Sequence, residues 1–175
     1  MRKAISILIL AAAILAISPL SARAQGFEVV TGKAFDMAMP KDFYLEGNRI
    51  PTEPRNAVLL KSSAAPRVLF ALIDTTGYSS QIKQKYIGMF ITEGRISVCG
   101  NPVEIGSYGF GLDKPAAPST ADAKFHVYNQ AGGEVASCSV SYDKAIKAPK
   151  PLAASTNNQG PASLLLGRYK VEIRP

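Results

Sequence analysis

Hydrophobic residues in this chain recur mostly at every second position, in short runs cut apart by Gly, Pro, Asn and Asp. Such a pattern buries one face only as a β-strand, because successive side chains of a strand point to opposite sides of the sheet. The last run is the cleanest: Tyr169, Val171 and Ile173 fall on one face, and Arg168, Lys170, Glu172 and Arg174 on the other. Earlier runs read the same way at Phe27–Thr31, Asp42–Glu46, Lys124–Tyr128 and Glu134–Tyr142, the last two pairing about Gln130–Gly133. Ala57–Leu60 and Val68–Ile73 are denser and predict a hairpin around residues 62–66, its second strand buried on both faces. Tyr86–Ile91 and Arg95–Cys99 flank Glu93-Gly94 and predict a tight hairpin. Gly100, Asn101 and Pro102 then turn the chain into one strand, Val103–Leu112.

Helical spacing has one fair claim, at Ile82, Tyr86, Met89 and Phe90, weakened by Gly88; at most one short helix is expected, near Ser79–Lys85. Residues 114–123 and 147–162 read as exposed loops, rich in Pro, Ala, Ser and Asn. Roughly nine or ten short strands at this length predict an all-β fold, an antiparallel β-sandwich, with a closed or partly closed β-barrel as the alternative.

The N-terminus obeys a different pattern. Arg2 and Lys3 precede an apolar run from Ile5 to Ile17, and Ala22, Arg23, Ala24 form a small-x-small cleavage signature before Gln25. Residues 1–24 are therefore read as a secretory signal peptide and 25–175 as a single β domain. Pro19 and Ser21 interrupt the apolar run short of the ~20 residues that span a bilayer, so no transmembrane anchor is expected. The implied location is periplasmic or secreted.

Export frames the cysteines. Cys99 and Cys138 are the only two, and outside the cytoplasm they predict one disulfide, contributing roughly 3–4 kcal/mol in the chain-entropy picture. Neither a C-x-x-C redox pair nor a cysteine at the cleavage site is present. Loss of Arg2, Lys3 and Arg23 with the signal segment takes three cations from the formal +7 and leaves a mildly basic chain. Its bases are scattered; the nearest approach to a cluster is Lys144, Lys147 and Lys150 in a Pro/Ala segment, read as a solvated loop, so no nucleic-acid partner is expected.

Few motifs point to chemistry. Asp74-Thr75-Thr76-Gly77 follows a hydrophobic strand and resembles the Asp-Thr-Gly loop of aspartic proteases, with one extra threonine and no second copy, so a homodimer would have to supply the partner carboxylate. Ser80-Gln81-Ile82-Lys83 fits the S-x-x-K pattern of penicillin-binding proteins and β-lactamases, but the companion S-D-N and K-T-G elements are missing. His126 is the only histidine, which argues against a histidine-rich metal site, and alternation places it beside Lys124 and Tyr128 on the wetter side of its strand. No metal or cofactor is expected.

The segment Gly106-Ser107-Tyr108-Gly109-Phe110-Gly111-Leu112 stands apart. Ser107, Gly109 and Gly111 make one face nearly bare of side chains, so a large aromatic, a bulge, a barrel bend, or a ligand can approach the backbone there. Ser107, Gly109 and Gly111, with Tyr78 at the rim, are the candidate binding face. The leading functional expectation is an exported, non-catalytic β-sandwich that binds or scaffolds, its partner a protein, polymer or small molecule. The alternatives are a β-barrel carrier of a hydrophobic ligand and a small hydrolase using Ser80 and Lys83 or a dimeric Asp74.

Overall fold

The computed structural model describes residues 26–62, 67–116, 119–157 and 160–175. Residues 1–24, read above as a signal peptide, and residues 63–66, within the expected hairpin link, lie outside them. The chain runs β1 (Phe27–Val30), α1 (Lys33–Ala38), β2 (Asp42–Leu45), β3 (Asn48–Ser62), β4 (Val68–Ile73), α2 (Ser80–Lys85) and β5 (Gly88–Thr92). It continues through β6 (Ile96–Val98), β7 (Asn101–Val103), β8 (Gly106–Asp113), β9 (Ala123–Asn129) and β10 (Glu134–Val140), then β11 (Ala153–Ser155), β12 (Ala162–Leu166) and β13 (Tyr169–Arg174).

These strands form two packed sheets, all pairs antiparallel, and they do not close into a barrel. The sandwich expectation holds and the barrel alternative does not. The larger sheet has the order β1-β3-β4-β5-β8-β9-β10, with β2 also paired to β3, and the smaller has the order β11-β12-β13-β6-β7. Between the sheets lies an apolar layer whose centre is aromatic. Phe70 and Phe90 are direct cross-strand partners with ring centroids 5.1 Å apart, and Phe110 and Phe125 lie 5.5 Å apart on the neighbouring strands. Leu164, Val171, Ile173 and Val98 of the smaller sheet close the same cluster, all buried. Aromatic and β-branched pairs opposite one another are what a half-buried pleated surface accommodates best.

The larger sheet is also covered on its outer face. Phe43, Leu45 and Ile50 from the β2–β3 hairpin, and Ile82 and Tyr86 from α2 and its end, pack on Leu59, Leu69, Ala71 and Met89 as a second buried cluster. This explains the dense run of β4: a strand with cores on both sides has no polar face to alternate with.

Four local expectations need correction. Tyr86–Ile91 and Arg95–Cys99 do not make a hairpin, because β5 pairs with β4 and β8 whereas β6 pairs with β7 and β13 in the other sheet. The Glu93-Gly94 link carries the chain between layers, held by Glu93 N–H donating to Arg67 O at 3.0 Å and by Thr92 Oγ1 donating to Gly94 O at 2.6 Å. Val103–Leu112 is likewise not one strand but the end of β7 and most of β8, in different sheets. Residues 147–162 are not wholly loop, since β11 lies within them and β12 begins at Ala162. α2 lies at the expected place, with Ser79 Oγ accepting from Ile82 N–H at 3.3 Å, but the expectation of at most one short helix is exceeded by α1, whose six residues are too few for helical periodicity to show.

Cys99 and Cys138 form a disulfide, 39 residues apart in sequence with Cα atoms 6.2 Å apart. It joins the β6–β7 turn of the smaller sheet to β10 at the edge of the larger, beside a hydrogen bond from Asn101 Nδ2 to Ser137 O at 3.4 Å. The bridge therefore ties layer to layer. Replacing both cysteines by serine is expected to lower the unfolding free energy by about 3–4 kcal/mol in urea titration; an unchanged midpoint would mean that the apolar layer alone holds the sheets in register.

Candidate functional site

The bare face of β8 is not open. Gly109 and Gly111 point away from the inter-sheet layer, toward α2, and the space above them is filled from within the chain. A Cβ on Gly109 would stand 2.7 Å from the Tyr86 ring, and one on Gly111 would collide with the backbone carbonyl of Lys85. The large aromatic that Gly109 admits is thus Tyr86, itself 1% exposed. Of the other two candidate residues, Ser107 is half-buried at the far end of the strand, and Tyr78 packs on the outer cluster while its hydroxyl donates to Arg49 O. The four are not gathered around a free surface.

Burying Tyr86 assembles an ionic cluster around its hydroxyl. Its hydroxyl donates to Glu46 Oε1 at 2.7 Å, and the same oxygen accepts from Lys85 Nζ at 2.5 Å. Lys85 Nζ also donates to Gly132 O at 2.7 Å and lies 4.9 Å from the centre of the Tyr128 ring. The Glu46 backbone N–H donates to Gln130 O at 2.8 Å. The β2–β3 turn, the end of α2 and the β9–β10 turn meet at this one carboxylate. Its hydrogen bonds from Lys85 and then Tyr86 hold Glu46 below the usual carboxylate range. Desolvation, followed by the bond to Glu46, pushes the Tyr86 phenol up.

His126 adjoins this cluster, its ring stacked on Tyr128 with centroids 5.9 Å apart. It is 6% exposed, against the expectation of a surface histidine. Strand alternation does place it opposite the inter-sheet core, but that second face is itself covered. Nδ1 lies 2.7 Å from Glu134 Oε2 and Nε2 lies 3.1 Å from Asp113 Oδ2. A doubly protonated ring donates to both carboxylates and a neutral one to a single partner. The hydrogen bond from His126, followed by one with Ser137, lowers the Glu134 carboxyl, and desolvation raises the Tyr128 phenol. Because the carboxylates flank opposite nitrogens, they cannot share one ion with the imidazole; no group of three metal-ligating side chains is poised for a metal among the described residues.

Neither hydrolase constellation is assembled around a recess. Ser80 and Lys83 both lie exposed on the outer side of α2, and no hydrogen bond joins them among the described residues. Asp74 is exposed and accepts from Thr76 N–H at 2.9 Å, closing the strand-end turn; hydrogen bonding with the Thr76 side chain, then with its backbone, lowers the Asp74 pKa.

A groove does lie elsewhere on the outer face. α1 stands off the sheet near the ends of β1, β3 and β4, leaving a recess of about 490 Å³ lined by Val30, Ala34, Leu59, Lys61, Arg67 and Glu93, with Glu28 at its rim. A second recess of about 110 Å³ under Ala38, between Leu69 and Ile91, shares Leu59, Arg67 and Glu93 with it. The floor is apolar and the rim carries both signs, with Arg67 and Glu93 paired side by side, Nε to Oε2 at 2.9 Å. Sequence reading misses this groove because α1 is six residues long, too short for helical periodicity to register. The only local signal is Gly32, whose φ of 69° starts the helix. No protein family, curated protein or solved structure matches the chain at a significant level.

Two predictions follow from this geometry. Gly111→Ala should destabilise the fold by about 1–3 kcal/mol or more in chemical denaturation, because a backbone carbonyl cannot move aside as a side chain can, whereas Ser107→Ala should stay within about 0.5 kcal/mol. Equal, small effects would return the face to the status of an open surface. Glu46→Gln should cost about 1–2 kcal/mol at neutral pH. Since the folded-state pKa of Glu46 lies below its unfolded value, that contribution is full above about pH 5 and is lost as the pH falls through the folded value. Denaturation of wild type and variant across this range should therefore show the gap closing in acid; a gap constant with pH would remove the ionic account.

Proposed function

We propose that this chain is exported by its N-terminal segment to the periplasm or the medium and acts there as a non-catalytic binding module. The observation that carries the reading is the groove beside α1. It sets apolar side chains, Val30, Ala34 and Leu59, beside ionic groups at its edge, the composition by which a site takes up an apolar body and orients it by a charged end. Its volume suits a small amphiphilic molecule. Arg67 and Lys61 offer cations at the rim, and Arg67, already paired with Glu93, can exchange that partner for a ligand anion. Export is supported by the signal-type N-terminus and by a disulfide of the kind that persists in oxidising compartments. No helix among the described residues is long and apolar enough to cross a membrane.

The test uses protein purified from an oxidising, exported preparation. Native mass spectrometry should reveal a non-covalent extra mass, or the empty protein should enhance the fluorescence of anilinonaphthalene sulfonate, which has an apolar body and one anionic end. Ala34→Trp, on the exposed helix face that walls the groove, should weaken that binding about tenfold or more without altering the circular dichroism spectrum. Absence of both signals, or a Trp variant that binds as well as wild type, would sink the assignment of the groove. Turnover of a substrate that Ser80→Ala or Lys83→Ala abolishes would sink the non-catalytic reading itself.

A further inference from the structure

We infer that the segment Asp143–Lys150 is an electrostatic docking surface for an anionic lipid bilayer. The segment is pinned at both ends to the same turn between β12 and β13. Asp143 N–H donates to Arg168 O at 2.8 Å, and Gly167 N–H donates to Lys150 O at 3.0 Å, so the intervening residues arch outward and return to their starting point, as in an Ω-loop. Asp143 Oδ1 accepts from Ala145 N–H at 2.8 Å, and Pro149 limits the arch further.

This arch gathers charge. Lys144, Lys147 and Lys150 are all exposed on it, and none is in an ion pair among the described residues. Arg168 at its base reaches Lys144 O at 3.5 Å and lies over the Tyr142 ring, again with no carboxylate partner among the described residues. The only acid in the segment, Asp143, is neutralised by Lys170. Three lysines without an ion-pair partner among the described residues, with Arg168 near Asp143 at their base, thus give one short stretch of surface a net positive charge.

The chemistry favours a bilayer over a threaded polyanion. Single-stranded nucleic acids are gripped in grooves where aromatic rings stack between cations. Here the one neighbouring aromatic, Tyr142, has Arg168 against it and the edge-on ring of Tyr169 5.5 Å away, so it is not free to stack a base. A convex arch of lysines on flexible stems needs no prescribed ligand geometry, only a dense lattice of phosphates, each ammonium finding its own headgroup. None of the large exposed apolar side chains lies on the arch, so attachment is electrostatic, without insertion, and must yield to salt. The inference rests on the arch and not on the groove beside α1.

The experiment is co-sedimentation of the exported protein with phosphatidylcholine vesicles, with and without about one-third phosphatidylglycerol. Binding is expected only to the anionic vesicles at about 0.05 M salt and is expected to disappear by about 0.5 M. The triple variant Lys144→Glu, Lys147→Glu, Lys150→Glu should bind about tenfold or more weakly, whereas the triple Arg variant should retain binding. A control with the same change in net charge, Lys33→Glu, Lys41→Glu, Arg55→Glu, at exposed positions away from the arch, should lose far less. Failure to bind anionic vesicles, or equal losses in the two charge-reversal triples, would overturn the inference. So would salt-sensitive binding to polyphosphate with none to vesicles. Because the readout is sedimentation with lipid, failure here leaves the groove and its amphiphile untouched.

Discussion

Tyr86 lies so low on the larger sheet that the rest of the outer layer is arranged around it. A phenol ring can approach a β-strand that closely only where the strand has no Cβ, and Gly109 supplies that gap. Buried in this way, the hydroxyl needs an acceptor, since an unpaired buried polar group costs about 1–3 kcal/mol. The acceptor is Glu46, and a carboxylate drawn half out of water in turn favours a cation, which Lys85 provides from the residue adjacent to Tyr86. Lys85 has donors to spare and spends one on Gly132 O, which draws in the β9–β10 turn. Each step follows from the one before, and together they bring the two distant ends of the sheet into contact.

The backbone records what these ties demand. Among the described residues, two non-glycine residues take left-handed conformations, Glu46 and Cys99, each with φ 48°, and each is followed by a glycine of positive φ, Gly47 or Gly100. Both pairs are the two-residue loops of tight hairpins, between Leu45 and Asn48 and between Val98 and Asn101, where Asn, Asp or Gly is the least strained choice at the first position. A glutamate and a cysteine occupy those positions instead, and the side chain of each makes a long-range tether. Strain accepted in a turn is offset by a tether that the turn alone can aim. The tethers differ in kind: reduction acts on the one between layers, and acid on the one that closes the outer face.

What the sequence shows of this fold divides along the same line. β13 is legible because one side of it meets the core and the other meets water, so its residues alternate without ambiguity. β4 is legible as a strand buried on both faces, yet what covers its second face is not, because the cover comes from a hairpin and a six-residue helix far away in sequence. The same ignorance misplaces His126: alternation correctly identifies its side of the strand, but a side opposite one core need not be wet. Pro51 and Pro54 hide the first half of β3, where the chain runs through an irregular register between Glu53 and Ala57. Glu93-Gly94 looks like a hairpin turn because a link between two sheets uses the same residue types; only the partners of β5 and β6 distinguish the two. The glycines of β8 were a real signal: of the readings they allow, an aromatic from within the chain explains Gly109, while the backbone carbonyl of Lys85 explains Gly111.

The two surfaces proposed for recognition fall on different layers, and this follows from where stability is already committed. The inter-sheet layer is filled by aromatic and aliphatic side chains, and the Tyr86 end of the outer face is fixed by its ionic cluster, so neither can open for a ligand without losing buried contacts. What remains is the margin beside α1, where no residue of the helix is buried and the sheet ends in paired charges, and the arch on the β12–β13 turn, which adds no side chain larger than Ile146 to the interior. Both are places where side chains can change partners at little cost to the fold. Occupation of one requires no contact of the other, so a module of this construction can hold an amphiphile on its larger sheet while its smaller sheet keeps it at a charged surface.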